Sequence, residues 1–124
     1  KIPPGGGAPQ GDDYPVASGD AIIARALQPS TLLLGGPGAC PGLSVQAGAN
    51  YVSIPCVPPG FTAKDLVTAL GVSKITSISR YDALDGRWKA LAVDNGSFDG
   101  EMFPILPGEG YLVFARDAAG PFLP

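Results

Sequence analysis

The chain contains no histidine. The side chain that most often moves protons near neutral pH is therefore absent, and general acid–base work would fall to carboxylates, Lys, Tyr or Cys. Charge is also scarce, at 15% of residues against the usual ~25%. Eight basic residues face eleven acidic ones, for a net charge of −3, and no basic cluster occurs anywhere. Binding to nucleic acid or to an anionic membrane surface lacks its electrostatic driving force. No apolar run reaches the ~18–20 residues needed to span a bilayer. The longest candidate, residues 21–27, is interrupted by Arg25. There are two cysteines, one Met and one Trp, and no long-period repeat.

Glycine and proline are abundant, with eighteen and fourteen in 124 residues, and they concentrate in the first sixty. The length and the 45% apolar content fit one domain with a core of its own. Residues 1–15, with Ile2-Pro-Pro-Gly-Gly-Gly, Pro9-Gln-Gly-Asp-Asp and Tyr14-Pro15, cannot hold a helix or a central strand. Proline removes backbone donors and glycine costs conformational entropy. We read residues 1–34 as a Pro/Gly-rich arm and 35–124 as a β-rich globular domain. Within the arm, residues 18–27 suit either a short helix capped by Ser18 or Asp20, or an added edge strand. Thr31-Leu-Leu-Leu34 reads as a short apolar strand.

The domain is expected to be mainly β (α+β): an antiparallel, sandwich-like sheet with one short helix. Leu43 to Gln46 alternates as a half-buried strand, and Gly48 opens the next, with Val52, Ile54 and Cys56 on one face. The helix is expected over residues 62–70. Thr62 is its N-cap, Asp65 completes a capping box, and Phe61 and Leu66 have the spacing of a hydrophobic staple. Leu66, Val67 and Leu70 form its buried stripe, and Gly71 is placed to end it in the left-handed conformation. Residues 75–81 and 87–93 then pair as a hairpin around a turn at 82–86, which sets Tyr81 against Trp88. Residues 94–101 read as a loop, 102–106 as a short segment around Pro104, and 110–116 as the last firm strand. The tail 121–124 is expected to lie flat across the domain.

Cys40 and Cys56 have fifteen residues between them. A bridge would staple the first half to the β core, and closing a loop of that size is worth roughly 3 kcal/mol. A zinc site would be half empty with two thiols and no His, and the C-x-x-C spacing of a redox pair is missing.

Sharper chemistry finds little support. Asp82 with Asp85, and Asp99 with Glu101, are the nearest paired carboxylates. Both pairs sit in Gly-containing turns, where Asp is favoured for its bonds to the backbone. There is no G-x-S-x-G elbow and no strand–G-x-G-x-x-G–helix unit. Asp94, Asn95, Asp99 and Glu101 supply oxygens within eight residues, but their spacing misses an EF-hand loop, so a solvated loop is preferred to a calcium site. Tyr14, Tyr51, Tyr81, Trp88 and Tyr111 are candidate stacking platforms for carbohydrate, and more simply structural aromatics. No catalytic residue, cofactor or firm metal ligand is expected.

The order Gly48-Ala-Asn-Tyr-Val-Ser-Ile-Pro55, Arg80-Tyr81-Asp82, Gly86-Arg87-Trp88-Lys89 and Leu106-Pro-Gly-Glu-Gly-Tyr111 resembles a small β-rich module of bacterial secreted and cell-surface proteins. That module reads roughly "N-L-I-S-I-P … Y-D … G-x-W … L-x-P-G-x-G-Y". The resemblance covers residues 48–116. It departs at Ala49 and Leu112, where the family often carries Trp, which is expected to thin the aromatic core. The family brings no catalytic residues and implies spacers, stalks or adhesive heads. The expected function is a non-catalytic extracellular structural or assembly protein, such as a surface or filament subunit with a pilin-like head. Its partners would be other protein subunits, in a homo-oligomer or with a separate helical chain. An adhesion or carbohydrate-binding module of a larger secreted protein is the alternative. Lys1 in place of Met fits a mature product with its signal peptide removed.

Overall fold

The computed structural model describes residues 8–31 and 40–124. The apolar strand expected at residues 31–34 lies, apart from Thr31, outside the described residues.

Among the described residues, seven strands and one helix follow one another as β1 (Leu43–Val45), β2 (Gly48–Ser53), α1 (Ala63–Leu70), β3 (Ile75–Asp82), β4 (Arg87–Asp94), β5 (Ser97–Gly100), β6 (Gly110–Ala115) and β7 (Ala119–Phe122). Every strand pairing is antiparallel. The main sheet has five strands in the order β2-β6-β3-β4-β5, and β1 pairs with β7 in a separate two-stranded ribbon. The mainly β fold with one short helix is as the sequence implies.

The helix forms where its local signals put it. The Thr62 hydroxyl accepts from the Asp65 amide, and an Asp65 carboxylate oxygen accepts from the Thr62 amide at 2.9 Å. Those bonds to Thr62, the backbone one first, hold the Asp65 carboxyl below its usual range. The helix buries Ala63, Leu66, Val67 and Leu70. Phe61 does more than staple the helix start, since its ring stacks on Phe122 at 5.2 Å. At the far end Gly71 has the expected positive φ of 117°, with ψ at 112°, outside the left-handed helical well.

Three segments differ from the sequence reading. Residues 94–101 are a hairpin rather than a loop. Asn95 and Gly96 turn with φ of 48° and 79°, so both central residues are at positive φ, as in the tight hairpin turn that matches strand twist. The C-terminal tail does not lie flat but enters β7, with Leu43 opposite Phe122. Pro121 is tolerated there because a two-stranded ribbon is all edge. Residues 18–27 form neither a helix nor a full strand. A turn at 17–20 is closed by the Asp20 amide on the Ala17 carbonyl, and one bridge joins Asp20 to Val52.

The core lies between the inner face of the main sheet, the helix and the β1–β7 ribbon. Ile75, Ile78, Leu91, Val93, Tyr111 and Val113 come to it from the sheet, and Leu66 and Val67 from the helix. Tyr111 is buried, stacked on Phe103 at 6.1 Å, and its hydroxyl accepts from the Leu106 amide at 2.8 Å. Burial pushes its phenol up to about 12. Cys40 and Cys56 form the expected disulfide, with Cα atoms 5.4 Å apart. Such a bond is compatible with an extracellular or otherwise oxidising compartment. Among the described residues no helix is long and apolar enough to cross a membrane.

Candidate protein-contact face

Side chains alternate across a strand, so each inward residue of the main sheet has an outward neighbour. An antiparallel sheet packed on one side is expected to be polar on the other. Here the outer positions are apolar or small. On β2 they are Ala49 and Tyr51, and on β6 they are Leu112 and Phe114, each opposite its β2 counterpart. On β3 and β4 they are Ser79 with Ala90 and Tyr81 with Trp88. Ala92 continues the row and is exposed, as is Ala90. Tyr51, Tyr81, Trp88 and Phe114 retain 52%, 51%, 41% and 42% exposure. No charged side chain occupies these positions; Asp94 and Asp99 lie beyond them, at the β5 margin.

The Tyr81–Trp88 pair holds an edge-to-face arrangement, with ring centroids 5.5 Å apart and planes at 64°. Charges on the reverse of the hairpin fix it in place. Lys89 bridges Asp82 at 2.6 Å and Asp85 at 3.3 Å, and Arg87 forks onto both oxygens of Glu101 at 2.6 and 3.0 Å. The Lys89 ammonium, followed by backbone donors in the turn, holds the Asp82 carboxyl down at about 2. Asp82 raises the Lys89 ammonium in return, with Asp85 helping. The Asp82 carboxylate also accepts from the Leu84 and Asp85 amides, closing the turn. The tip that presents two aromatics outward is thus clamped by five charged side chains behind it.

The arm reaches this face. The Ser53 amide donates to the Gly19 carbonyl at 2.8 Å, and the Ser53 hydroxyl donates to the Asp20 carbonyl at 2.9 Å. Ala21 then passes directly over Gly110, where an added β-carbon would come within 2.9 Å of the Ala21 methyl. A larger residue at 110 would lift the arm off the sheet. Residues 21–24 run on beside Tyr51, Tyr81 and Trp88, enclosing a groove of about 310 Å³. Ile22 and Ile23 remain exposed there.

Of the aromatics singled out in the sequence, Tyr51, Tyr81 and Trp88 come together. Tyr111 sits in the core, and Tyr14 lies exposed in the arm, outside the groove. Ala49 and Leu112 are outer-face positions, so their small size bears on this face and not on the aromatic core as expected. The candidate calcium oxygens do not assemble. Asp94 closes the β4–β5 hairpin opposite Ser97, Asp99 pairs with Ala92, and Glu101 is taken by Arg87. Among the described residues no group of three or more Cys, Asp or Glu side chains is placed to hold a metal ion. The sequence reading missed Leu112, Phe114, Ala90 and Ala92, although the run Trp88-Lys-Ala-Leu-Ala-Val93 carries the signal: its outward set is Trp, Ala, Ala.

Compared with known protein families, curated proteins and solved structures, the chain gives no significant match.

Proposed function

We propose that this chain is a non-catalytic extracellular structural module that works through protein contacts, as a subunit of a surface assembly or filament. The observation that carries this reading is the outer face of the main sheet, which is apolar where a solvated face would be polar. Uncovered apolar faces of this kind mark interaction surfaces in proteins that are otherwise well packed. The disulfide supports an oxidising compartment, and the order of motifs over residues 48–116 resembles surface modules of bacteria. Asp82 and Asp85 are engaged by Lys89 and Glu101 by Arg87, which favours structural work for them over proton transfer.

Hydroxyl-radical footprinting tests this. Tyr51, Tyr81 and Trp88 should be modified readily in the purified chain and protected in the intact surface fraction of the producing cell. Equal modification in both would overturn the contact reading, and recovery of the chain only from the reducing cell interior would overturn the localisation.

A second reading is favoured by one observation, the groove in which residues 21–24 face three aromatic rings. Rings at such a groove could stack on sugars, making the chain an adhesive module. Calorimetric titration with a panel of oligosaccharides separates the two: saturable heat abolished by Trp88→Ala would favour adhesion.

A further inference from the structure

Resting on that contact reading, we infer the identity of the partner: the outer face of strands β2, β6, β3 and β4 is closed by the same face of a second copy of this chain. Three observations point to a homotypic contact and not to a charged or hydrated partner.

The first is charge. In a two-fold contact each patch meets itself, so any net charge on it repels its own image. The outer rows of β2, β6, β3 and β4 from Ala49 to Ala92 contain no charged side chain, although the chain as a whole carries a net charge of −3. On this face the acidic residues Asp94 and Asp99 stand only at the β5 margin, outside the patch, while Asp82 and Asp85 are neutralised by Lys89 and Glu101 by Arg87 on the reverse.

The second is shape. The middle of the face is Ser79 flanked by Leu112 and Ala90, with Ala92 beside them. Small central side chains let two sheets approach to the ~10 Å of a sandwich. Trp88 and Tyr81 stand at one end of the face, half exposed beside the arm residues 21–24, while Ala90 and Ala92 leave its β4 side low.

The third is area. Four strands (β2, β6, β3 and β4) spaced ~4.8 Å apart and six to eight residues long at ~3.4 Å per residue give a face of roughly 450 Å² per copy. Two faces then bury about 900 Å² before the arm is included, near the lower end of a specific and still reversible contact. Ile22 and Ile23, exposed at 50% and 72%, extend the patch on its arm side.

Two other features carry less. The hollow of about 320 Å³ between residues 18–20, 41–44 and β2 opens on a strand edge that the arm already bridges at Asp20. The charged cluster behind the hairpin is satisfied internally.

Sedimentation equilibrium of the intact chain over a wide concentration range, with tryptophan fluorescence on the same samples, tests the proposal. A reversible monomer–dimer equilibrium is expected, with Trp88 emission shifting to the blue as the dimer forms. Ala90→Arg and Ala92→Glu each bury an unpaired charge in the contact and should weaken dimerisation by about tenfold or more. Circular dichroism and Tm should be unchanged, because both positions are exposed in the monomer. Thr68→Arg, on the exposed side of α1, should leave dimerisation unaltered. A chain that stays monomeric at every concentration overturns the proposal, as does a dimer indifferent to both face variants. If the purified chain is monomeric yet its aromatics are protected on the producing cell, the homotypic partner is wrong and the contact reading stands. Saturable sugar binding by a monomer overturns both.

Discussion

Replacing Tyr111 by Phe removes one oxygen from the interior and leaves the ring in place. That oxygen accepts the Leu106 amide at 2.8 Å and so ties β6 to the Leu106-Pro-Gly turn that precedes it. The stacked contact with Phe103 survives the change, so the loss is that of the hydroxyl's bonds: the Leu106 amide is left without its acceptor, and the weaker donations to a Glu109 carboxylate oxygen at 3.3 Å and to the Pro104 carbonyl at 3.5 Å go with it. Such a loss costs about 1–2 kcal/mol, which for a domain of this size is a fall in Tm of roughly 4–12 °C. The substitution also changes the alkaline limb of stability. Burial raises the phenol to about 12 when folded, against an ordinary value of 10. The folded chain therefore keeps this proton longer than the unfolded chain does. Its contribution is fully present below pH 10 and declines as pH rises from 10 to 12. Urea denaturation at pH 7 and at steps between pH 9 and 11.5 measures both effects. The Tyr111→Phe chain should be less stable at pH 7 and should lose less further stability than the parent on going to pH 11.5. Equal stability at pH 7, with parallel alkaline limbs, would refute the reasoning.

Three further changes probe other parts of the fold. Cys40→Ser with Cys56→Ser opens a covalent loop of 16-residue separation and should lower the stability measured by guanidinium unfolding by about 3 kcal/mol. Thr62→Ala removes the cap of α1 and should cost about 1 kcal/mol in the same assay. Asp82→Asn removes a carboxylate held at about 2 by Lys89. A lowered carboxylate pKa stabilises the fold above the unfolded value near 4, and that stability is lost as pH falls towards 2. The parent should thus weaken across this window more steeply than the variant, read as Tm against pH.

The parts of this fold legible in the sequence are those whose signals are local. The capping box at Thr62 and Asp65 and the stripe Leu66, Val67 and Leu70 define α1 without reference to the rest of the chain. Tyr81 and Trp88 lie one pair in from the four-residue connection between β3 and β4, so their pairing follows from the hairpin alone. The β4–β5 hairpin has an equally local signal in Asn95-Gly96, a strong turn pair that the loop expected at residues 94–101 leaves unused. The β1–β7 ribbon was not legible. It joins Leu43 to Phe122, two strands of three and four residues whose choice of partner depends on how everything between them has folded. Pro121 argued against a strand in isolation and is accommodated only because that ribbon lies outside the main sheet. The candidate face follows the same division. Its residues alternate visibly along β4, but the row from Tyr51 through Leu112 to Ser79 depends on the strand order β2-β6-β3, which no local pattern specifies.

The Cys40–Cys56 bridge has a consequence for a protein under tension. Both β1 and β2 lie inside the covalent loop it closes. A pull applied upstream of Cys40 and downstream of Phe122 passes from Cys40 straight to Cys56 and bypasses these strands. The force instead reaches β7, which peels from β1 beginning at the Leu43–Phe122 pair. Fifteen residues between the sulfurs cannot pay out, so the stretched chain is shorter by roughly 50 Å than its reduced form. The bond thus acts as a length limiter, and the redox state of its surroundings sets how far the module extends before it breaks.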